Sequence, residues 1–167
     1  MKRLMSLLVG LLMITVWAGT VLADDARFVF SRKTIEDKRT GLTWARDADM
    51  GKLDWIGAAE LINTLNDNEY AGAKDWRLPN REEFGTLVAY AMRSGYGGGA
   101  GLFSPYQLFN KTGFNNVQLC FYWSSTPADD SPSNAWVINM YDGKGRLENK
   151  ESNYCVWPVR GGKKDGK

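Results

Sequence analysis

Side chains capable of catalysis are few, because the chain of 167 residues contains no histidine. This absence excludes Ser-His-Asp and Cys-His catalysis, as well as zinc sites that use histidine ligands. Two cysteines, Cys120 and Cys155, remain as candidate nucleophiles, metal ligands or disulfide partners. A pair of cysteines in an exported chain more often forms a disulfide than stays free. We therefore predict a disulfide between Cys120 and Cys155, with two reactive thiols as the alternative.

The stretch DWRLPNREEF, residues 75–84, carries two adjacent acids that could suggest acid–base catalysis. Adjacent residues of a helix point in different directions, so Glu82 and Glu83 make a poor catalytic pair. Asn80 and Glu83 instead have the spacing of a capping box, in which each side chain binds the other residue's backbone N–H. We therefore predict that a helix starts here, and we expect no catalytic residue in this stretch. Its predicted apolar face consists of Phe84, Leu87, Val88 and Ala91.

Two other segments carry residue types that suit ligand binding. Residues 95–114 are rich in glycine and aromatic residues and are predicted to form a long loop, and residues 129–134 form an acidic loop. Aromatic rings suit the faces of sugars, and carboxylate and amide groups suit hydroxyls. The predicted ligand-binding residues are Tyr96, Phe103, Tyr106, Phe109, Asp129, Asp130 and Asn134.

The acidic loop also offers oxygens of the kind that Ca²⁺ prefers. The spacing of Asp129, Asp130 and Asn134 fits no EF-hand loop, so a solvated turn is the simpler interpretation. We predict no cofactor and no metal site, with Ca²⁺ as the one ion that this loop could hold.

The N-terminus has the pattern of a secretory signal peptide. Lys2 and Arg3 precede an apolar run, and small residues lead to a predicted cleavage site after Ala23. A membrane anchor is the alternative, but the run is shorter than the ~20 residues that a span needs. We therefore expect residues 1–23 to be removed, and the protein to be exported to the periplasm or secreted without a membrane span.

The charge balance gives no sign of a nucleic-acid partner. The chain has 21 Lys and Arg against 19 Asp and Glu, and removal of Lys2 and Arg3 leaves 19 of each. Nucleic-acid binding would need a concentrated basic face. Residues 163–167 are interpreted as a flexible basic tail.

The predicted elements follow an α+β order. Strands flank a turn at residues 37–41, and a first helix begins after Asp54; its apolar positions are Trp55, Ala58, Ala59, Ile62 and Leu65. The second helix and the long loop follow. From Cys120 onward the chain reads as strands, with a hairpin at "DGKG" and a final strand "YCVWPVR" in which Pro158 indicates an edge or bulge.

Several motifs in this order resemble the Lcl C-terminal domain family. Domains of this family lie at the C-terminal end of bacterial collagen-like adhesins and occur in exported proteins of unknown function. The motifs are "TGLTWARD", "YAGAKDWRLPNREEF", "FYWSST", "AWVINMYDGKG" and "VWPVRGG". The resemblance spans about residues 34–162 and implies one domain over residues 24–162. It implies a C-type-lectin-like fold with two helices packed on a small twisted antiparallel sheet and a long loop region. It transfers no catalytic residue.

Three functions remain open at this point. The first is an exported non-catalytic binding module that recognises a glycan or protein ligand through its long loops. The second is a thiol-dependent oxidase related to formylglycine-generating enzymes, whose fold the resemblance also implies. The third is a purely structural role in the envelope. Calcium-dependent sugar binding of the C-type-lectin kind is not expected, because the only Pro-Asn pair, Pro79-Asn80, lies at a helix start.

Overall fold

The computed structural model describes residues 26–94 and 104–162, and these form an α+β fold with three α-helices and two sheets. The helices are α1 (Trp55–Asp67), α2 (Arg81–Arg93) and α3 (Pro105–Thr112). The strands are β1 (Phe28–Phe30), β2 (Thr34–Asp37), β3 (Leu42–Ala45), β4 (Lys52–Leu53), β5 (Phe121–Pro127), β6 (Asn134–Asn139), β7 (Gly145–Asn149), β8 (Tyr154–Cys155) and β9 (Val159–Gly161).

The strands form two sheets, where the sequence predicted one small antiparallel sheet. The four-stranded sheet has the order β1-β2-β3-β9, and its pairs are all antiparallel. The five-stranded sheet has the order β4-β8-β5-β6-β7, and its β5–β8 pair is parallel. The predicted single strand "YCVWPVR" is wrong, since the chain leaves one sheet at Cys155 and joins the other at Val159. Pro158 lies in this crossing, where it interrupts no ladder hydrogen bond.

The first two helices begin as predicted. The Asp54 side chain accepts a hydrogen bond from the Gly57 amide at 2.6 Å and caps α1. At α2 the capping box is complete, because the Glu83 amide donates to Asn80 and the Asn80 amide donates to Glu83, each at 2.8 Å. The predicted apolar face of α2 is buried throughout.

The third helix corrects the prediction of a long loop over residues 95–114. Residues 105–112 are helical, with Pro105 in the first turn and Gly113 at the end with a φ of 107°. The Ser104 amide donates to the Gln107 side chain at 3.0 Å, which ties down the start of the helix. Proline in the first turn and glycine just beyond the last turn are both favoured positions.

The core is a cluster of fully buried aromatic rings contributed by both sheets and two helices. Trp157 lies 5.2 Å from Trp44, 5.6 Å from Tyr122 and 5.7 Å from Phe114, measured between ring centroids. Its indole N–H donates to the carbonyl oxygen of Ala45 at 2.8 Å, so the polar atom of this buried ring is satisfied.

The predicted disulfide is confirmed. Cys120 lies immediately before β5 and Cys155 ends β8, and their Cα atoms are 6.5 Å apart. The bond joins the two neighbouring strands of the five-stranded sheet near the point where the chain crosses to the other sheet.

Candidate functional site

The predicted aromatic residues divide into three groups. Tyr96 and Phe103 lie outside the described residues. Tyr106 is half-buried on α3, and its amide donates to the Met140 carbonyl at 3.0 Å. Phe109 is fully buried and packs against other core rings. Because a buried ring offers no face to a ligand, we correct the prediction for Phe109 and assign it to the core.

The acidic loop lies far from Tyr106. Asp129 and Asp130 are exposed in the turn between β5 and β6, and Asn134 is the first residue of β6. Tyr106 contacts Met140, just beyond the other end of the same strand. A strand of this length spans roughly 20 Å. The two halves of the predicted site therefore do not form one surface in the described part of the chain.

The described residues contain no group of three or more acidic or cysteine side chains that could hold a metal ion. That the protein has no metal site, with Ca²⁺ as the one ion that the acidic loop could hold, stays a prediction.

A different site stands out in the structure, an open groove of about 610 Å³ beside the edge strand β1. We call it the cationic groove. Strand β1 and the residues before it form one wall, the turn after β2 a second, and α2 and the end of α3 the remainder. Its lining residues are Ala26, Arg27, Phe28, Phe30, Lys38, Arg39, Tyr90 and Thr112.

The antiparallel register of β1 and β2 brings the groove residues together. Phe28 pairs with Asp37, and the Lys38 amide donates to the Arg27 carbonyl at 2.9 Å. This pairing places Arg27 directly opposite the turn that carries Lys38 and Arg39. Two segments about ten residues apart thereby contribute three cations to one groove.

Arg27 is fixed by a bidentate contact with Asp37. The Arg27 Nε and Nη2 atoms donate to the two carboxylate oxygens at 2.8 and 2.5 Å, and Asp37 is only 1% exposed. The Arg39 amide donates to the same carboxylate at 3.1 Å. Burial by itself raises the pKa of Asp37, but hydrogen bonds from Arg27, Thr40 and the Arg39 backbone, together with the charge of Arg27, outweigh it and lower the pKa below its ordinary value.

Aromatic rings hold the other faces of the Arg27 side chain. Its guanidinium carbon lies 4.9 Å from the ring centroid of Phe28 and 4.8 Å from that of Tyr90, distances typical of cation–π contacts. The Nη1 atom of Arg27 is buried and makes no hydrogen bond. One carboxylate and two rings therefore hold the guanidinium in place.

The remaining groove residues face solvent. Lys38 and Arg39 are exposed, and Phe30 leaves 41% of its surface accessible although it packs edge-on against Phe114. Asp37 offsets the charge of Arg27, and Lys38 and Arg39 add two further cations to the lining of the groove. These lining residues include no thiol and no pair of carboxylates, so the groove is suited to binding an anion beside an apolar ring.

The sequence interpretation missed every residue of this groove. A signal was present in "RFVFSRKTIEDKR", where Phe28 and Phe30 alternate on one strand and cations stand at both ends of the segment. A turn at residues 37–41, which the sequence predicted, would bring the cations at the two ends of this segment close together. What could not be read from the sequence was the pairing of Arg27 with Asp37, which depends on the register.

The profile of the Lcl C-terminal domain matches residues 33–160, which is most of the chain. The chain belongs to the Lcl C-terminal domain family. Lys38, Arg39, Tyr90 and Thr112 lie within the matched residues, whereas β1, with Phe28 and Phe30, precedes them. The cationic groove is therefore built partly from the Lcl C-terminal domain and partly from the strand before it. Comparison with curated proteins gives no match.

No helix among the described residues combines the length and apolarity needed to cross a membrane.

Proposed function

We propose that this member of the Lcl C-terminal domain family is an exported, non-catalytic binding module that holds an acidic glycan in the cationic groove. The observation that carries the proposal is the convergence of Lys38 and Arg39 with the exposed ring of Phe30 around one open groove. Cations attract carboxylate or sulfate groups, and an aromatic ring packs against the apolar face of a sugar.

The fixed Arg27 supports recognition of a defined ligand. Its guanidinium is already oriented by Asp37, Phe28 and Tyr90, so it gives the groove a fixed wall against which a ligand can bind. Preorganisation of this kind favours affinity because fewer side chains lose freedom when the complex forms.

The disulfide supports export and weakens the proposal of a thiol-dependent oxidase. Cys120 and Cys155 are bonded to each other, and Cys155 is fully buried. Disulfides persist mainly in oxidising compartments. A buried cysteine in the interior of a sheet lacks the open substrate groove that a catalytic thiol requires.

For the architecture, we propose the C-type-lectin-like arrangement that the family resemblance implies. Two features support it: α1 and α2 precede the strands β5–β9 along the chain, and the first and last strands of the domain lie in the same sheet, at its two edges.

Binding to acidic and neutral oligosaccharides tests the proposed function. The protein, purified without reductant, would be titrated with oligogalacturonate, with sulfated oligosaccharides and with neutral galactan of matched length. We expect binding only of the acidic probes, with affinity that falls as salt is added. The double variant Lys38→Gln/Arg39→Gln should raise Kd roughly tenfold or more for each cation removed.

A matched control removes the same charge elsewhere. Lys52 and Lys144 are exposed residues of the five-stranded sheet and its β6–β7 turn, and the variant Lys52→Gln/Lys144→Gln should bind as the unmodified protein does. Equal loss in both double variants would show that net charge, and not the groove, determines binding. Failure of every acidic probe to bind would refute the proposed ligand class.

A further inference from the structure

Strand β7 is the longest edge strand in the described part of the chain. It has five residues, whereas β4, at the other edge of the same sheet, has two, and the edge strands β1 and β9 of the four-stranded sheet have three each. The pairing of β7 with β6 is regular along all five residues, and the strand contains no proline. Short length, a bulge or a proline commonly protects a sheet edge from pairing with another chain. None of these three protects β7.

Alternate residues of β7 direct their backbone groups away from the sheet. The backbones of Lys144 and Lys150, just before and just after the strand, are hydrogen-bonded to the segment of β6 at 2.9 and 2.8 Å. Bonded and non-bonded residues alternate along an antiparallel pair, so the amides of Gly145, Leu147 and Asn149 point outward. The carbonyl groups of Gly145 and Leu147 point the same way. No hydrogen bond to another described residue satisfies the outward groups of Gly145 and Leu147.

The side chains of β7 alternate between a charged face and an apolar face of the sheet. Arg146 and Glu148 lie on one face and form an ion pair with each other. The Arg146 guanidinium carbon lies 3.9 Å from the ring centroid of Phe121, and this contact holds it close to the sheet. Leu147 lies on the opposite face, across from Trp136, and 43% of its surface is exposed. An exposed leucine between two opposite charges therefore forms the centre of an open edge.

The sequence of β7, GRLEN, is complementary to itself in charge. Two copies that pair antiparallel about a two-fold axis through Leu147 place Arg146 of each copy opposite Glu148 of the other. The Cβ atoms of residues opposite each other lie about 5 Å apart, close enough for the two charges to attract. Together with the ion pair inside each strand, these contacts make a ring of four alternating charges.

The neighbouring registers are less favourable. An axis at Arg146 brings Glu148 opposite Lys144, but it sets the two copies of Arg146 against each other and leaves the outward amide of Asn149 unpaired. An axis at Glu148 sets the two copies of Glu148 against each other. Like charges directly opposite each other destabilise a ladder. Only the axis at Leu147 pairs every outward residue of one strand with an outward residue of the other, since Gly145 then lies opposite Asn149.

The two lysines that flank β7 restrain this pairing without preventing it. In the register centred on Leu147, Lys144 of one copy lies opposite Lys150 of the other. Lys144 is already paired with Asp142 at 3.7 Å, and the Lys150 ammonium donates to the Pro132 carbonyl at 2.7 Å. Both ammonium groups can therefore stay with the partners that they have within their own chain.

We propose that β7 is the edge at which two copies of this chain pair, antiparallel and about a two-fold axis through Leu147. The pairing satisfies the outward backbone groups of both strands, and it covers part of the exposed Leu147 side chain with that of the second copy. One strand edge is small beside the ~1,600 Å² of a standard interface, so we expect a weak dimer. The proposal does not depend on the proposed function, because none of these residues lines the cationic groove.

Sedimentation equilibrium and backbone amide exchange test the proposal. Both would be measured on the purified protein from micromolar to millimolar concentration. We expect the apparent mass to rise toward twice that of the monomer. The amides of Gly145, Leu147 and Asn149 should become protected from exchange as the dimer forms, whereas those of Arg146 and Glu148 face β6 and should be protected at every concentration. A monomer throughout, or a dimer without added protection at Leu147, would overturn the proposal.

Charge reversal distinguishes this edge from any other interface. Glu148→Arg leaves two cations on the charged face of β7, and Arg146→Glu leaves two acids, so each variant alone should remain monomeric. In a mixture of the two variants, every charge at position 146 lies opposite the other sign at position 148, so a heterodimer should form. Association of either variant alone at the unmodified level, or a mixture of the two folded variants that stays monomeric, would contradict the register.

Two further variants complete the test. Leu147→Pro removes one outward amide and keeps both charges, and an edge strand accepts proline where the N–H faces outward. It should fold and stay monomeric. Glu60→Arg is the matched control, because it changes the net charge as Glu148→Arg does, at an exposed residue of α1. It should associate as the unmodified protein does. Dimers of Leu147→Pro at the unmodified level would refute the assigned edge, and loss of dimers in Glu60→Arg would refute the assigned charge pairs.

Discussion

Two bidentate arginine–carboxylate pairs have similar geometry but lie in different regions of the molecule. Arg27 and Asp37 are 11% and 1% exposed and form the base of the cationic groove. Arg77 and Glu83 are 40% and 16% exposed and lie at the start of α2. Burial makes each partner of the first pair depend on the other, whereas solvent screens the second. The first pair supports the candidate site, and the second is part of the scaffold.

The second pair also explains why "DWRLPNREEF" contains charged residues of the kind found in catalytic motifs. Arg77 donates to both oxygens of Glu83 at 2.8 and 2.6 Å and to the Gly161 carbonyl at 3.0 Å. Glu83 additionally accepts the Asn80 amide, so the helix cap, the arginine and the last strand are joined. Arg77 and Glu83 therefore hold the start of α2 against β9.

The largest expected effect is that of Asp37→Ala. Removing this carboxylate leaves the buried Arg27 guanidinium without its partner, which should lower the free energy of unfolding by about 3–5 kcal/mol. Urea unfolding followed by tryptophan fluorescence would measure the loss. A loss no larger than that of Glu83→Ala would remove the distinction between the buried and the exposed pair.

Acid should produce a smaller effect through the same pair. The lowered pKa of Asp37 means that its contribution to stability is complete above the ordinary aspartate pKa. That contribution should disappear as the pH falls through the lowered value in the folded protein. The urea midpoint would be measured from neutral pH downward in the unmodified protein and in Asp37→Asn. We expect a shallower acid dependence in the variant, and identical profiles would contradict the role assigned to Asp37.

Glu83→Ala should lower the free energy of unfolding by roughly 1–2 kcal/mol, through loss of one half of the capping box and of a partly screened ion pair. Arg77 is 40% exposed, so water can solvate it once its partner is gone. Binding of acidic probes in the cationic groove should not change. Loss of binding at unchanged stability would place the functional site at α2 instead.

The sequence predicted what local patterns determine. Asp54 and Asn80 mark helix starts by side-chain chemistry within one turn, and the disulfide followed from the cysteine count and export signal. The sequence did not predict the third helix, although Ser104-Pro105 is a common helix start and Gly113 a common helix end. The glycine-rich residues before this helix favoured a loop over the whole segment.

The cationic groove could not be predicted, because its residues meet only through long-range packing. Arg27 reaches Asp37 only in one strand register. Phe109 was misassigned because the composition of residues 95–114 predicted an exposed loop, whereas α3 places the Phe109 ring in the core.

The smallest expected effect is that of Asn80→Ala, at about 1 kcal/mol of lost stability from one missing cap. The Glu83 amide would lose its acceptor at 2.8 Å, but Glu83 would keep its contacts with Arg77 and with the backbone amide at position 80. Water can reach the helix start and replace part of the lost bond, which is why the change should be smaller than in Glu83→Ala. Asn80→Asp is the matched variant, since aspartate also caps well, and it should restore most of the stability. Urea midpoints for the three proteins would measure the series, and binding of the acidic probes should be equal in all of them. A change of ligand affinity in Asn80→Ala without a change of stability would show that the cap belongs to a binding site. The start of α2 would then be part of the functional surface and not only of the scaffold.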